Sequence, residues 1–258
     1  MRKAQHRPPV RLGRLQFSQL TLKELLQVPS GELRHVVTVN AEIFVLAHEM
    51  ACYADLLAKT TNTIDGRVVQ WLVAVANKTV PVRLAGADFI SDLCRFAEHA
   101  GESVFLLGAS ENANRVACDR LRAQHPRLRL AGYSPPVTDR IDDPQWTADI
   151  LQRLTAFAPR HLVVCFGPPK QELWIAANAG SLAGAGVRFA AGLGGTIDFV
   201  AGAVKRAPRL AQIIGLEWFF RFLVAPRARF RRTLSMFRLP YHAWRGADDA
   251  RARVDGDD

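Results

Sequence analysis

Gly167-Pro-Pro-Lys-Gln-Glu172 is preceded by the apolar run His161-Leu-Val-Val-Cys-Phe166 and followed by a helix-forming segment, Leu173 to Ala179. A buried strand, a sharp turn and a helix start, in that order, is the repeating unit of an α/β protein. It also presents backbone amides to an anion. Pro169 stands where a first helical residue belongs, since its missing N–H costs nothing there. Lys170 adds a positive charge and Gln171 an amide, whereas Glu172 complements the helix dipole and competes with a phosphate. The same residues also fit an ordinary strand-to-helix turn, so the surrounding chain decides.

Working outward, the unit repeats. Toward the C-terminus, Val187 to Ala191 reads as a strand that ends in Gly192-Leu-Gly194-Gly195-Thr-Ile-Asp198. Gly192-x-Gly194-x-x-Ile197 approaches a dinucleotide fingerprint, but it lacks the third small residue and comes late in the chain, so it carries little signal for NAD. Toward the N-terminus, Ser103 to Leu107 and Leu128 to Ala131 read as strands, with helices over Phe89 to Ala100, Glu111 to Gln124 and Gln145 to Phe157. Leu33 to Val39 is a further core strand, followed by one long helix-forming run, Ala41 to Ala58. Thr60 to Asp65 reads as a polar connection before a helix from Arg67 to Ala76. Ahead of these, Val10 to Phe17 alternates as a short strand, and Thr21-Leu-Lys-Glu24 has capping-box spacing for a helix through Val28. The alternation predicts an α/β fold: a mainly parallel sheet with helices on both faces.

In such a sheet, ligands sit at the carboxyl ends of the strands. That places Thr38 and Asn40 at a ligand-binding edge, and the same two residues also serve as helix caps. Asp65 has two readings, an N-cap for the following helix and a general base for a hydroxyl proton. Spacing alone favours the cap. Arg83, in Arg83-Leu-Ala-Gly86-Ala-Asp88, is either a surface charge or a phosphate ligand.

Composition narrows the class. The chain has 258 residues, 49% of them hydrophobic, which suits a sizeable core and excludes a mostly disordered chain. Its net charge of +10 points to an acidic partner: nucleic acid, anionic lipid or a phosphorylated substrate. Cys52, Cys94, Cys118 and Cys165 are far apart and in apolar contexts, as expected of reduced core thiols in a cytoplasmic protein. Met1 to Arg14 has no apolar core of a signal peptide, and no stretch approaches a membrane span. The seven histidines show no metal-ligand spacing.

From Lys205 the character changes. Between Lys205 and Arg245 lie ten basic residues, including Arg206, Arg221 and Arg227, and one acidic residue, Glu217. Trp218, Phe219, Phe220, Phe222 and Phe237 are interleaved with them. Basic and aromatic residues together favour a membrane interface over a nucleic-acid arm. Asp248 to Asp258 reads as a disordered polar tail.

Seven short motifs occur in one order: Thr38-Val-Asn40, Asp65-Gly66, Arg83-x-x-Gly86-x-Asp88, Pro169-Lys-Gln-Glu172, Gly194-Gly-Thr-Ile-Asp198, Arg206-Ala-Pro208 and Gly215-Leu-Glu-Trp218-Phe-Phe-Arg221. Over about Leu33 to Arg232 the chain resembles the WecG/TagA/CpsF glycosyltransferase family. It departs from that family's pattern in having Thr63-Ile64 before Asp65 and Arg67 after Gly66. The resemblance implies a Rossmann-like domain (1–204), a basic helical appendage that docks at the membrane (205–245) and a tail (246–258). It implies an inverting transfer, with no metal or other cofactor, from a UDP-sugar donor to a polyprenyl-diphosphate-linked acceptor in cell-surface polysaccharide synthesis. The location implied is the cytoplasmic face of the plasma membrane, and self-association is compatible with it; nucleic acid is not an implied partner. By the same resemblance Asp65 is the base, with Thr38 and Arg83 beside it as catalytic residues. Asn40, Gly167, Lys170, Gln171, Gly194, Gly195, Asp198, Arg206, Arg221 and Arg227 are the implied donor-binding set.

Overall fold

The computed structural model describes residues 7–204 and 237–243. Arg206, Arg221, Arg227, the rest of the appendage apart from 237–243, and the tail lie outside the described residues. The sheet has six parallel strands in the order β4-β3-β8-β7-β5-β6, flanked by helices. The chain divides into two compact units. Among the described residues, one holds 21–38 and 86–204, the other 7–20, 39–85 and 237–243.

The larger unit carries β3 (Arg34–Val39, of which Val39 belongs to the smaller unit), β5 (Ser103–Gly108), β6 (Arg129–Tyr133), β7 (His161–Cys165) and β8 (Phe189–Gly192). Strands β5 and β7 are buried along their whole length. This is why they read as continuous apolar runs without alternation. Register puts Phe105, Leu162 and Ala190 side by side. They pack with Ile150 and Leu154 of α7 (Pro144–Phe157) and with Trp174 and Ile175 of α8 (Lys170–Ala177). On the opposite face Phe189 stacks on Phe89 of α5 (Gly86–Ala100) with ring centroids 6.0 Å apart, and His161 meets Phe96 edge-on. A helix start is built as its sequence suggests in α1 (Leu22–Leu26), where Thr21 and Glu24 form a reciprocal capping box. The start of α6 (Glu111–Gln124) is capped by Ser110.

The smaller unit departs further from the sequence reading. Val10 to Phe17 is not one strand but a hairpin, β1 (Val10–Leu12) and β2 (Leu15–Phe17), turned at Gly13 with φ +56°. The long helix divides at Met50, whose backbone is extended, into α2 (Ala41–Glu49) and α3 (Ala51–Leu57). The break redirects the chain so that Tyr53 and Leu57 are buried while Cys52 is exposed, unlike the other three cysteines. The polar stretch before Asp65 contains a strand, β4 (Thr61–Ile64). Asn62 is buried there because its amide donates to the carbonyls of Gln16 and Leu57, and its oxygen accepts from the Thr60 hydroxyl. Helix α4 (Arg67–Asn77) follows and packs against β1. Residues 239–243 form a short helical stretch in this unit; Leu239 and Ala243 are buried, and Arg238 pairs with Glu49 at 2.9 Å.

His35 on β3 generates a stability prediction. Burial pushes its imidazole down to about 4, and its buried Nε2 has no hydrogen-bond partner among the described residues. The unfolded value is about 6.5. As pH falls through 6.5 the unfolded chain takes up a proton that the folded one refuses, so stability falls until about pH 4 and then levels. The shift corresponds to at most about 3 kcal/mol. Urea unfolding between pH 7 and 4 is expected to show a shallower loss for His35→Gln than for the wild type. Equal slopes refute the assignment.

Candidate active site

In the larger unit the strand order reverses at β5. The chain goes from β5 to β6 on one side and returns to β7 on the other. Open α/β sheets bind ligands outside the carboxyl ends of the strands at such a point. Three turns lie at these ends.

The first follows β5. Gly108 and Ala109 both have positive φ, +104° and +61°, and a Cβ on Gly108 would lie 2.8 Å from the Cys165 carbonyl oxygen. The Ala109 carbonyl accepts from the Ser134 hydroxyl at 2.6 Å. Sequence reasoning passed over this turn; its signal was a glycine closing an apolar strand, followed by a serine cap.

The second turn is Gly167 to Pro169 after β7, with a cis peptide between Pro168 and Pro169. Pro169 is the N-cap of α8 rather than its first helical residue. Gly167 has φ +79°, a conformation that favours glycine. The third is Leu193 to Gly195 after β8, leading into α10 (Thr196–Val200), with Gly194 at φ +53°. A Cβ at Gly194 would meet nothing within 4 Å among the described residues.

Gln171 joins the second and third turns. Only 1% exposed, it accepts at Oε1 from the Gly167 amide (3.2 Å) and the Gly194 amide (3.1 Å). Its Nε2 donates to Glu172 Oε1 at 2.6 Å. Gly192 makes room for this pair: a Cβ there would lie 2.7 Å from the Gln171 amide nitrogen and 2.8 Å from Glu172 Oε1. The Thr38 hydroxyl, buried on β3, donates to the Gly192 carbonyl at 3.1 Å. Thr38, Gly167, Gln171 and Gly194 are therefore brought together through one hydrogen-bonded frame. Glu172, read from sequence as a first-turn dipole partner, is fully buried beside Gln171.

Lys170 sits at the rim. Its ammonium donates to Asp139 Oδ1 (2.6 Å) and to the Thr138 carbonyl (3.2 Å). That hydrogen bond, and then the charge behind it, hold the Asp139 carboxyl below its usual range. Gly195 is exposed, and Asp198 lies one turn into α10, its carboxylate 3.7 Å from where a Gly195 Cβ would stand. Cys165, beneath these turns, is fully buried, and burial pushes its thiol up to about 12, so it stays protonated.

The smaller unit assembles a second group. Asn40 caps α2, its Oδ1 accepting from the Ile43 amide at 3.1 Å. The Asp65 amide donates to the Val39 carbonyl at 3.1 Å, and Arg83 Nη1 donates to the Asp65 carbonyl at 3.1 Å. The Leu84 amide donates to the Ile64 carbonyl at 2.8 Å, so Arg83 and Ile64 lie in parallel register. Asp65 is not the cap of α4. That position belongs to Gly66, which has no side chain to offer; a Cβ there would lie 3.9 Å from the Asn40 α-carbon. Asn40, Asp65 and Arg83 are thus held together by the strand end of β4, with the Arg83 guanidinium fixing the backbone at Asp65. A half-buried carboxylate at such a strand end can accept a proton from a hydroxyl.

Residues 10–253 match the family model described as the glycosyl transferase WecG/TagA/CpsF family. The chain is similar to N-acetylglucosaminyldiphosphoundecaprenol N-acetyl-beta-D-mannosaminyltransferases. The one from Bacillus spizizenii is 32% identical over 78% of this chain and 75% of the relative. That from Bacillus subtilis is 30% identical over the same shares. That from Staphylococcus aureus is 27% identical over 73% and 71%.

The frame around Gln171 yields a measurable expectation. Gln171→Ala removes the acceptor of two loop amides, and each buried donor left unsatisfied costs about 1–3 kcal/mol. The melting temperature is expected to fall, and the Gly167 and Gly194 amides to exchange with deuterium markedly faster than in the wild type. Unaltered exchange at both glycines would show that the turns hold themselves.

Proposed function

The chain belongs to the WecG/TagA/CpsF family of glycosyltransferases, and we propose that it moves a sugar from a UDP donor to a polyprenyl-diphosphate-linked acceptor, with inversion. The relatives' names state an acceptor sugar carried on undecaprenyl diphosphate and an N-acetylmannosaminyl group transferred to it with a β linkage. An N-acetylhexosamine donor and an N-acetylglucosamine acceptor are therefore the first substrates to try.

The observation that carries this reading is the pair of glycine turns clasped by Gln171 at the carboxyl ends of β7 and β8. In the proposal these turns bring backbone amides close to the donor diphosphate, as glycine-containing turns can. Gln171 contributes by holding the turns, with its own amide already occupied. Lys170, tied to Asp139, reaches the same rim, and Gly195 and Asp198 border the donor. Arg206, Arg221 and Arg227 of the basic segment are proposed to meet the charge that grows on the departing UDP. The segment 205–245 is also proposed to hold the protein at the membrane surface, where a lipid-linked acceptor lies.

Asp65 is proposed as the base that takes the acceptor hydroxyl proton as the glycosidic bond forms. Arg83 fixes the backbone at Asp65, and Asn40 holds the neighbouring helix start. Thr38 supports the Gly192 turn from β3. Transfer in one displacement, with the base on the acceptor side, inverts the anomeric centre.

Asp65→Asn tests the proposal most directly. Since Gly66 is the helix cap, the substitution removes no cap. Transfer is expected to fall by roughly 10²-fold or more, the usual worth of a general base. Titration calorimetry is expected to show unchanged UDP affinity. A variant that transfers sugar at the wild-type rate would remove Asp65 from the chemistry.

A further inference from the structure

Helix α4 is apolar apart from Gln70 between its polar ends, reading Val68-Val-Gln-Trp-Leu-Val-Ala-Val-Ala76 between Arg67 and Asn77. Such a helix belongs in a core or against an apolar partner. Its inner face is satisfied: Val69 and Val73 are fully buried. Its outer face is not. Trp71 is 47% exposed and Val75, one turn on, 80%; Val80, just past the helix, is 76% exposed. Large apolar side chains exposed together in one short stretch mark an interaction surface.

Charge says what kind. From Gly66 to Ala87 the sequence has three basic residues, Arg67, Lys78 and Arg83, and no acidic one. The hairpin that packs on α4 repeats the pattern: from Arg7 to Leu20 there are three arginines and no carboxylate. The two elements are joined at the end of the helix. Asn77 exchanges hydrogen bonds with the Arg11 backbone, accepting from its amide at 3.2 Å and donating to its carbonyl at 2.7 Å. The exposed Arg11 and Lys78 therefore flank the same helix end, one turn beyond Val75. Tryptophan and valine beside cations, with no acid among them, is the composition of a surface that dips into an anionic bilayer. A symmetric pairing of two copies would place the same patch against itself, with no carboxylate on it to meet the arginine and lysine.

We propose that the outer face of α4, with Trp71, Val75 and Val80 inserted and Arg11 and Lys78 on the headgroups, is a second membrane-contact surface, separate in sequence from the basic C-terminal segment. The inference rests on the reading that the acceptor is lipid-linked. It gives the chain a reason to hold the turn carrying Asp65, which opens α4, at the bilayer surface.

Flotation of the full chain with phosphatidylglycerol/phosphatidylcholine vesicles tests it. Trp71→Ser, Val75→Ser and Val80→Ser combined is expected to lower vesicle partitioning about tenfold or more, given the apolar surface withdrawn. The melting temperature should be unchanged, because all three side chains are exposed. Trp71→Phe should keep binding, yet lose part of the fluorescence quenching that brominated lipid causes in the wild type. The proposal is overturned if the triple variant floats like the wild type and brominated lipid quenches Trp71→Phe as fully as the wild type. It is equally overturned if the triple variant changes only the sedimentation coefficient, which would make the face a self-association surface. A transfer assay in detergent separates this idea from the proposed activity: the triple variant should keep wild-type transfer there. A wild type inactive on every lipid-linked acceptor would count against the transferase reading while leaving the flotation result intact.

Discussion

One amide oxygen holds the candidate donor-side turns in register. Gln171 Oε1 receives backbone N–H groups from Gly167 and Gly194, which end two adjacent parallel strands. Parallel strands pair along their length, but the turns beyond them have no ladder to join. A buried side-chain acceptor supplies what the ladder cannot. The arrangement depends on Gly192 having no Cβ and on Glu172 holding the other end of the Gln171 amide. Thr38 joins from β3 by donating to the Gly192 carbonyl. A network in which each polar group satisfies the next is rigid in a low-dielectric interior, and rigidity is what a site that must meet developing charge requires.

The smaller unit uses a different device for the same end. Its strand β4 is polar, and it is buried only because Asn62 spends its amide on two carbonyls and a hydroxyl. That strand delivers Asp65 to its carboxyl end, where Arg83 fixes the backbone from a neighbouring segment. The helix that begins one residue later is apolar on both faces. The unit thus combines a carboxylate of proposed catalytic use with an exposed apolar helix flanked by cations, which is economical for an enzyme whose proposed acceptor is tethered to a lipid.

Much of this was legible in the sequence. Continuous apolar runs identified β5 and β7, since both faces of a central parallel strand are covered. The capping box at Thr21 and Glu24 located the start of α1. The glycine turns after β7 and β8 were recognisable as strand-end turns because a glycine or proline closes each apolar run. The motif order pointed to the family that the comparisons bear out. Less legible was β4, because Thr-Asn-Thr-Ile has one apolar residue and no alternation, and the burial of Asn62 rests partly on Gln16, far away in sequence. The break at Met50 was hidden for a related reason: the residues around it keep helical periodicity, and burial of Tyr53 and Leu57 is a tertiary demand.

The sequence by itself determined the order of the central strands of the larger unit and most of their helices, and the chemical types available at the strand ends. It could not assign their jobs. Asp65 fitted a helix cap by spacing, and only the three-dimensional path of the chain gave that position to Gly66. Gln171 looked like a ligand for the donor, and only its burial between two loop amides made it a brace for the turns that would meet it. The run of α4 read as a helix with no face assigned, and only its packing against β1 left Trp71 and Val75 in solvent. The physical reason is common to all three. A side chain's type is local, whereas the partner that uses its hydrogen bonds or covers its surface comes from elsewhere in the chain.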